Sequence, residues 1–218
     1  MQIQVKSARE IRNWLLGAAW LRVTAGLLAF PLAPFLYERH FLVLVLLRPT
    51  NLVIFLGGAL AKQNQVQWWQ IAAAAIPLQI LIVWLYYVLG KAWADEIRSD
   101  SKLPLYSSRL IPTDRIRRLK RVLRKKGQVF IFVSRFALFP TGLLGAAAGS
   151  SNLDARRFFT ADAAGAVASS GAALTIGYLL GNAAFRGRGW VIAAGVAGLL
   201  SLSQLLAVYL EREPGRQS

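Results

Sequence analysis

Three arginines stand inside apolar stretches of this 218-residue chain: Arg22, Arg48 and Arg135. A guanidinium stays charged at any working pH and forks onto carboxylate or phosphate through paired N–H groups. A charge set among apolar residues points to an anionic partner. Arg135 and Arg48 are the leading candidates to hold a phosphate. Arg48 directly precedes Pro49-Thr50-Asn51, and Arg135 shortly precedes Pro140-Thr141. Snorkelling to the cytoplasmic interface is the competing role for Arg135. Thr50, Asn51 and Thr141 either hydrogen-bond a headgroup or satisfy backbone groups freed by the prolines. Arg22 is expected to pair with a polar neighbour. Asp162 either titrates or pairs with Arg135, Arg156 or Arg157, and Glu38 is the other carboxylate near these segments.

Other chemistries find no support. The chain has no Cys and one His, His40, in a polar loop. Thiolate nucleophiles, disulfides and Cys metal sites are therefore absent, and a His-dependent triad lacks its base. Ser169-Ser170-Gly171 reads as a small-residue packing face, as do Gly145, Gly165, Gly177 and Gly195. No phosphate-cradling loop or dinucleotide motif occurs. Transport or binding is expected rather than catalysis, with no cofactor and no metal.

These residues must be positioned by membrane helices. Hydrophobic residues make up 56 % and charged residues 17 %, against about 45–50 % and 25 % in soluble domains. Apolar segments run over about 14–37, 41–61, 68–90, 128–149, 158–181 and 190–210. Each has the ~20 residues that cross a bilayer. Segment 41–61 carries Arg48-Pro49 at its centre, and segment 128–149 carries Arg135, Pro140, Gly145 and Gly149. Broken backbone at membrane depth is tolerated only inside protein or beside a watery cavity. Both segments are therefore expected to be re-entrant hairpins. With the N-terminus inside, that topology places 19 Lys+Arg inside and 4 outside. Six full crossings give at best 15 against 8. The positive-inside rule favours the re-entrant arrangement.

Residues 41–90 slid onto 132–181 match at 12 of 50 positions. The matches fall on helix breakers and helix ends: Pro49 on Pro140, Gly58 on Gly149, Tyr87 on Tyr178 and Gly90 on Gly181. This reads as an inverted repeat, a design that places a substrate site near the membrane midplane. Between the units, residues 91–127 hold 12 Lys+Arg and 4 acids. Thr113 starts a helix there and Gly127 ends it. Ile116, Leu119, Val122 and Leu123 share one face. Arg115, Arg117, Arg118, Lys120, Arg121, Arg124, Lys125 and Lys126 fill the other. An interfacial helix with its apolar face in lipid and its basic face on anionic headgroups is expected. The net charge of +16 is thereby assigned to membrane lipid rather than to nucleic acid.

An ordered set of residues resembles the DedA family, whose members carry the SNARE-associated or VTT domain. The set comprises Lys126-Gly127, Ser134-Arg135-Phe136, Ala148-Gly149, Arg156, Phe158, Gly165-Ala166 and Gly177-Tyr178-Leu179-Leu180-Gly181. The first unit adds Pro49, Leu52, Gly58, Leu60-Ala61 and Tyr87-Val88-Leu89-Gly90-Lys91. The resemblance implies a bacterial inner-membrane protein with two opposed re-entrant hairpins that handles undecaprenyl phosphate or phospholipids. Some members depend on the proton gradient, and eukaryotic relatives behave as scramblases. This chain departs from the pattern at Asn51, where an acid is usual, and at Arg39, with Glu38 one place off. It also has Thr141 for a second arginine and Asp162 for an asparagine, and its second proline is moved two places. An amide does not titrate, so proton coupling would fall to Glu38 or Asp162.

The sequence thus predicts one all-α integral membrane domain. About four transmembrane helices are joined by two opposed re-entrant hairpins in an inverted repeat, with a basic amphipathic interfacial helix. Its parts are a first span (1–40), repeat one (41–90), a basic cytoplasmic linker (91–127), repeat two (128–181), and a last span with the tail (182–218). The expected function is transport of an anionic phosphate lipid as a flippase or scramblase. A non-transporting membrane scaffold is the alternative. Anionic lipids are the expected partners, a homo-oligomer is left open, and both termini are expected in the cytoplasm.

Overall fold

The computed structural model describes residues 2–95, 113–136, 141–151 and 153–185, with isolated positions 197, 198, 201 and 204. The described residues form seven helices: α1 (Gln2–Arg39), α2 (Phe41–Leu47), α3 (Asn51–Lys62), α4 (Trp68–Ala92), α5 (Thr113–Ser134), α6 (Thr141–Gly149) and α7 (Ala155–Phe185). Among the described residues, three stretches are long and apolar enough to cross a membrane: Glu10–Arg39, Trp68–Ala92 and Ala155–Gly181. The fourth expected span, about 190–210, and Pro140 lie outside the described residues.

The breaks fall where the sequence puts helix breakers. α2 stops at Arg48, whose backbone leaves the helical region (φ −144°, ψ 76°) because Pro49 disfavours α geometry in the residue before it. Thr50 then restarts the chain as an N-cap, its side chain accepting from the Val53 N–H at 3.5 Å. α4 opens with a capping box in which the Gln70 side chain accepts from the Gln67 N–H. α5 is two helical pieces joined at Gly127 (φ 55°, ψ −137°). A Cβ is strained in that region, so G127A should cost about 1–3 kcal/mol. A thermal-unfolding comparison checks this, and an unchanged transition would mean no such kink forms.

Packing crosses between the two halves of the chain. α3 lies along α7, α6 lies along α4, and α5 packs on both α6 and α7. Glycines permit the close approach. A Cβ at Gly58 would strike the Leu174 carbonyl and the Tyr178 N–H, and one at Gly149 would strike the Tyr87 carbonyl. Gly90 meets Ala146 and Gly177 meets Phe55 in the same way. Gly181 faces Ala59. Gly145 and Gly165 also meet main chain, whereas Gly171 faces open space and takes no part in such a face. Gly195 lies outside the described residues. Tyr87 is buried and stacks on Phe158. Tyr178 is partly exposed beneath the Lys62 ammonium.

Two apolar clusters result. One gathers Val83, Tyr87, Leu144 and Phe158, and the other Phe41, Phe55, Ile71 and Ala173. Outward faces stay apolar, with Trp14, Leu21, Trp69, Trp84 and Leu179 exposed. So much exposed apolar surface suits lipid rather than water.

The linker helix differs from expectation. Leu119 and Leu123 are buried in the first cluster, beside Trp93 and Phe158, so protein rather than lipid covers this part of its apolar face. An amphipathic helix turns its apolar stripe to a protein core where one is in reach. Lys120 is half-buried. The side chains of Arg115, Arg117, Arg118, Arg121, Arg124, Lys125 and Lys126 lie outside the described residues.

Candidate functional site

Gln79 sits near the middle of α4, on the stretch between Ala75 of one apolar cluster and Val83 of the other. On α7, Asp162 and Ser170 lie likewise between Phe158 and Ala173. Polar residues therefore lie between the two cores, Gln79 and Ser170 near the middle of their spans and Asp162 nearer the start of α7.

Arg135 is the centre of this polar layer. It follows the last residue of α5, where the chain leaves helical geometry. Its Nε donates to Asp162 Oδ1 at 2.7 Å and its Nη2 to Asp162 Oδ2 at 2.5 Å. The side chains are 3 % and 0 % exposed. This is the two-point guanidinium–carboxylate fork, the strongest form of the pair. Gly165, one turn beyond Asp162, makes the approach possible, since a Cβ there would sit 3.0 Å from Arg135 Cγ.

Other members complete the layer. Arg135 Nη1 donates to Gln79 Oε1 at 3.4 Å, and Gln79 Nε2 donates to Ser170 Oγ at 3.2 Å. Asn51, first residue of α3, donates from Nδ2 to the Arg135 carbonyl at 2.9 Å. The start of one broken helix thus holds the frayed end of another. Desolvating two charges costs several kcal/mol each, which the fork and its neighbours must offset. In such surroundings a filled network fixes one arrangement.

Of the roles weighed for Arg135 and Asp162, the structure realises their mutual ion pair. The Arg135 guanidinium does not reach a surface, so snorkelling is set aside. Arg156 and Arg157 are exposed, the latter 3.7 Å from Asp154. Arg48 stays out of the layer: its guanidinium lies 3.6 Å over the Phe30 ring. Arg22 finds its polar neighbour in the Leu47 carbonyl at 2.5 Å, at the end of α2. Thr50 serves as a cap, and Thr141 is half-buried at the first position of α6. Glu38 is exposed at the end of α1, apart from the layer, with His40 exposed beside it.

Gln79 and Ser170 were not among the expected site residues. An amide amid Ile76-Pro77-Leu78 and Ile80-Leu81 is a visible signal. So is the spacing of 91 residues between Gln79 and Ser170, equal to the repeat offset. Among the described residues, no group of three or more His, Cys, Asp or Glu is placed to hold a metal. No family model, curated protein or solved structure matches this chain.

Proposed function

We propose that the chain is a transporter, of flippase or scramblase type, for an anionic phosphate lipid such as undecaprenyl phosphate or a phospholipid. The observation that carries this reading is the buried Arg135–Asp162 fork at a helix break, joined through Gln79 to the middle of an apolar span. The fork that grips a carboxylate has the geometry to grip a phosphate. A headgroup that displaces Asp162 from Arg135 would pass between the helix breaks while its tails stay in the bilayer. Asp162 is the carboxylate within the layer, so any proton coupling runs through it rather than through Glu38.

The same proposal covers the architecture. α2, α3 and α6 have 7, 12 and 9 residues. At 1.5 Å per residue none alone crosses the ~30 Å hydrocarbon layer. This supports re-entrant hairpins, one broken at Pro49 and one that includes α6. Reciprocal packing supports an inverted repeat. Gly58 meets Tyr178 where its equivalent Gly149 meets Tyr87. The equivalents Gln79 and Ser170 touch each other, as residues astride a two-fold axis do. Kinship with the DedA family, a bacterial inner-membrane location and cytoplasmic termini belong to the same reading. The ordered motif residues from Pro49 to Gly181 support them.

The test is translocation in proteoliposomes, with fluorescent phosphatidylglycerol and undecaprenyl phosphate, with and without a pH gradient. R135K keeps the charge and loses the fork. It is expected to slow translocation about tenfold or more, the equivalent of one lost charge-assisted contact. R135K at the parent rate would remove Arg135 from the path. Gradient-dependent movement that D162N loses would assign coupling to Asp162, such movement that D162N keeps would return it to Glu38, and gradient-independent movement would indicate a scramblase. One observation favours the second reading, a membrane scaffold: the Arg135 fork is already filled and closed to solvent. Movement of no lipid would establish that reading.

A further inference from the structure

Arg22 and Arg48 lie within electrostatic reach of each other, at the junction of α1 with the end of α2. Arg22 spends Nη1 on the Leu47 carbonyl, and its Nε is buried with no partner. Arg48 lies over the Phe30 ring, 3.6 Å from its centroid, a contact that a guanidinium makes through its face rather than through its N–H donors. Among the described residues neither arginine has an ion pair, and the buried carboxylate, Asp162, is already held by Arg135. Tyr86 is also within electrostatic reach of Arg22, and its ring packs on Gly142, near the start of α6.

Two neighbouring guanidinium groups repel, and in apolar surroundings little water screens them. A shared anion reverses the sign of that interaction. A carboxylate fills one fork, whereas the tetrahedral oxygens of a phosphate accept from two guanidinium groups at once. Phe30, beneath Arg48, is largely exposed, so the cluster is reached from outside the bundle. We infer that Arg22 and Arg48 form a phosphate-binding site at the first helix break, separate from the Arg135–Asp162 fork. Its ligand is a phosphate group, borne by a membrane lipid or free in solution. The site does not depend on transport, because its occupancy is read without translocation.

The test is native mass spectrometry of the full chain in detergent, titrated with phosphatidylglycerol and, separately, with inorganic phosphate. The wild-type chain is expected to retain one phosphate-bearing ligand. R48Q leaves the Leu47 contact intact and should weaken binding about tenfold, as should R22K, which keeps the charge and loses the fork. R39Q is the control, because Arg39 is exposed and lies over Phe35 without a second arginine. Retention of phosphatidylglycerol that inorganic phosphate cannot displace identifies the ligand as a lipid headgroup. Arg48-dependent binding of inorganic phosphate alone identifies it as the free ion. Wild-type affinity in both R48Q and R22K, or an equal loss in R39Q, overturns the site. Circular dichroism and size-exclusion profiles of R48Q identify any loss that comes from misfolding. If R48Q misfolds, R22K alone decides.

Discussion

Replacing Asp162 by Asn is expected to lower the unfolding free energy by about 3–5 kcal/mol, because it leaves a buried guanidinium without its counter-charge. The Arg135 side chain is 3 % exposed, so water cannot take the place of the carboxylate. Gln79 offers one acceptor at 3.4 Å, too little to compensate. The double variant R135Q/D162N removes both charges and should recover part of the loss, since two neutral amides are cheaper to bury than one unpaired ion. D154N loses the exposed pair at 3.7 Å but keeps a side-chain oxygen for the Arg156 N–H, and should change stability by no more than about 0.5 kcal/mol. Denaturant titration in detergent measures all three. A D162N chain as stable as its parent would mean that the pair is not formed. The transport reading sharpens the comparison, since a headgroup that competes with Asp162 would bind D162N more tightly while the fold weakens.

Gly149 and Gly171 should respond to the same substitution with opposite signs. A Cβ at Gly149 is directed at the Tyr87 carbonyl and comes within 3.0 Å of the Lys91 N–H. That obstacle is main chain, which cannot rotate aside. G149A must therefore part α4 from α6, at a cost of about 3 kcal/mol, the upper end of ordinary overpacking. G58A should behave alike, against the Leu174 carbonyl and the Tyr178 N–H. Gly171 lies within α7 with nothing near its missing Cβ. G171A should therefore stabilise by about 0.5–1 kcal/mol, the difference in helix propensity. Thermal unfolding of the three variants checks the order. Equal small effects at Gly58 and Gly149 would refute the close helix crossings.

The closed fork also bears on what moves. On the proposed transport reading, Arg135 leaves Asp162 at some point of the cycle. Arg135 sits where α5 has already lost helical geometry, so its release breaks no helical turn. Asn51 holds the main-chain carbonyl of that residue and not its side chain. The guanidinium can therefore change partners while the broken ends stay together.

Local chemistry made much of this protein legible in its residues. Pro49 and Gly127 break helices by their own backbone constraints, and Thr50 caps α3 wherever it lies in the fold. Runs of apolar residues as long as Trp68–Ala92 mark membrane helices without any knowledge of their neighbours. Other features depend on how one helix slides and rotates against another, and no local pattern encodes that. Asp162 rather than Arg156 or Arg157 reached this layer because it lies on the α7 face turned to α5, beside Gly165. Leu119 and Leu123 are apolar in either setting, and only their packing into the cluster that holds Trp93 and Phe158 decided that protein covers them. Gly149 and Gly171 are the same residue in the sequence. The crossing of α6 over α4 made one of them indispensable, and the open face of α7 left the other free to change.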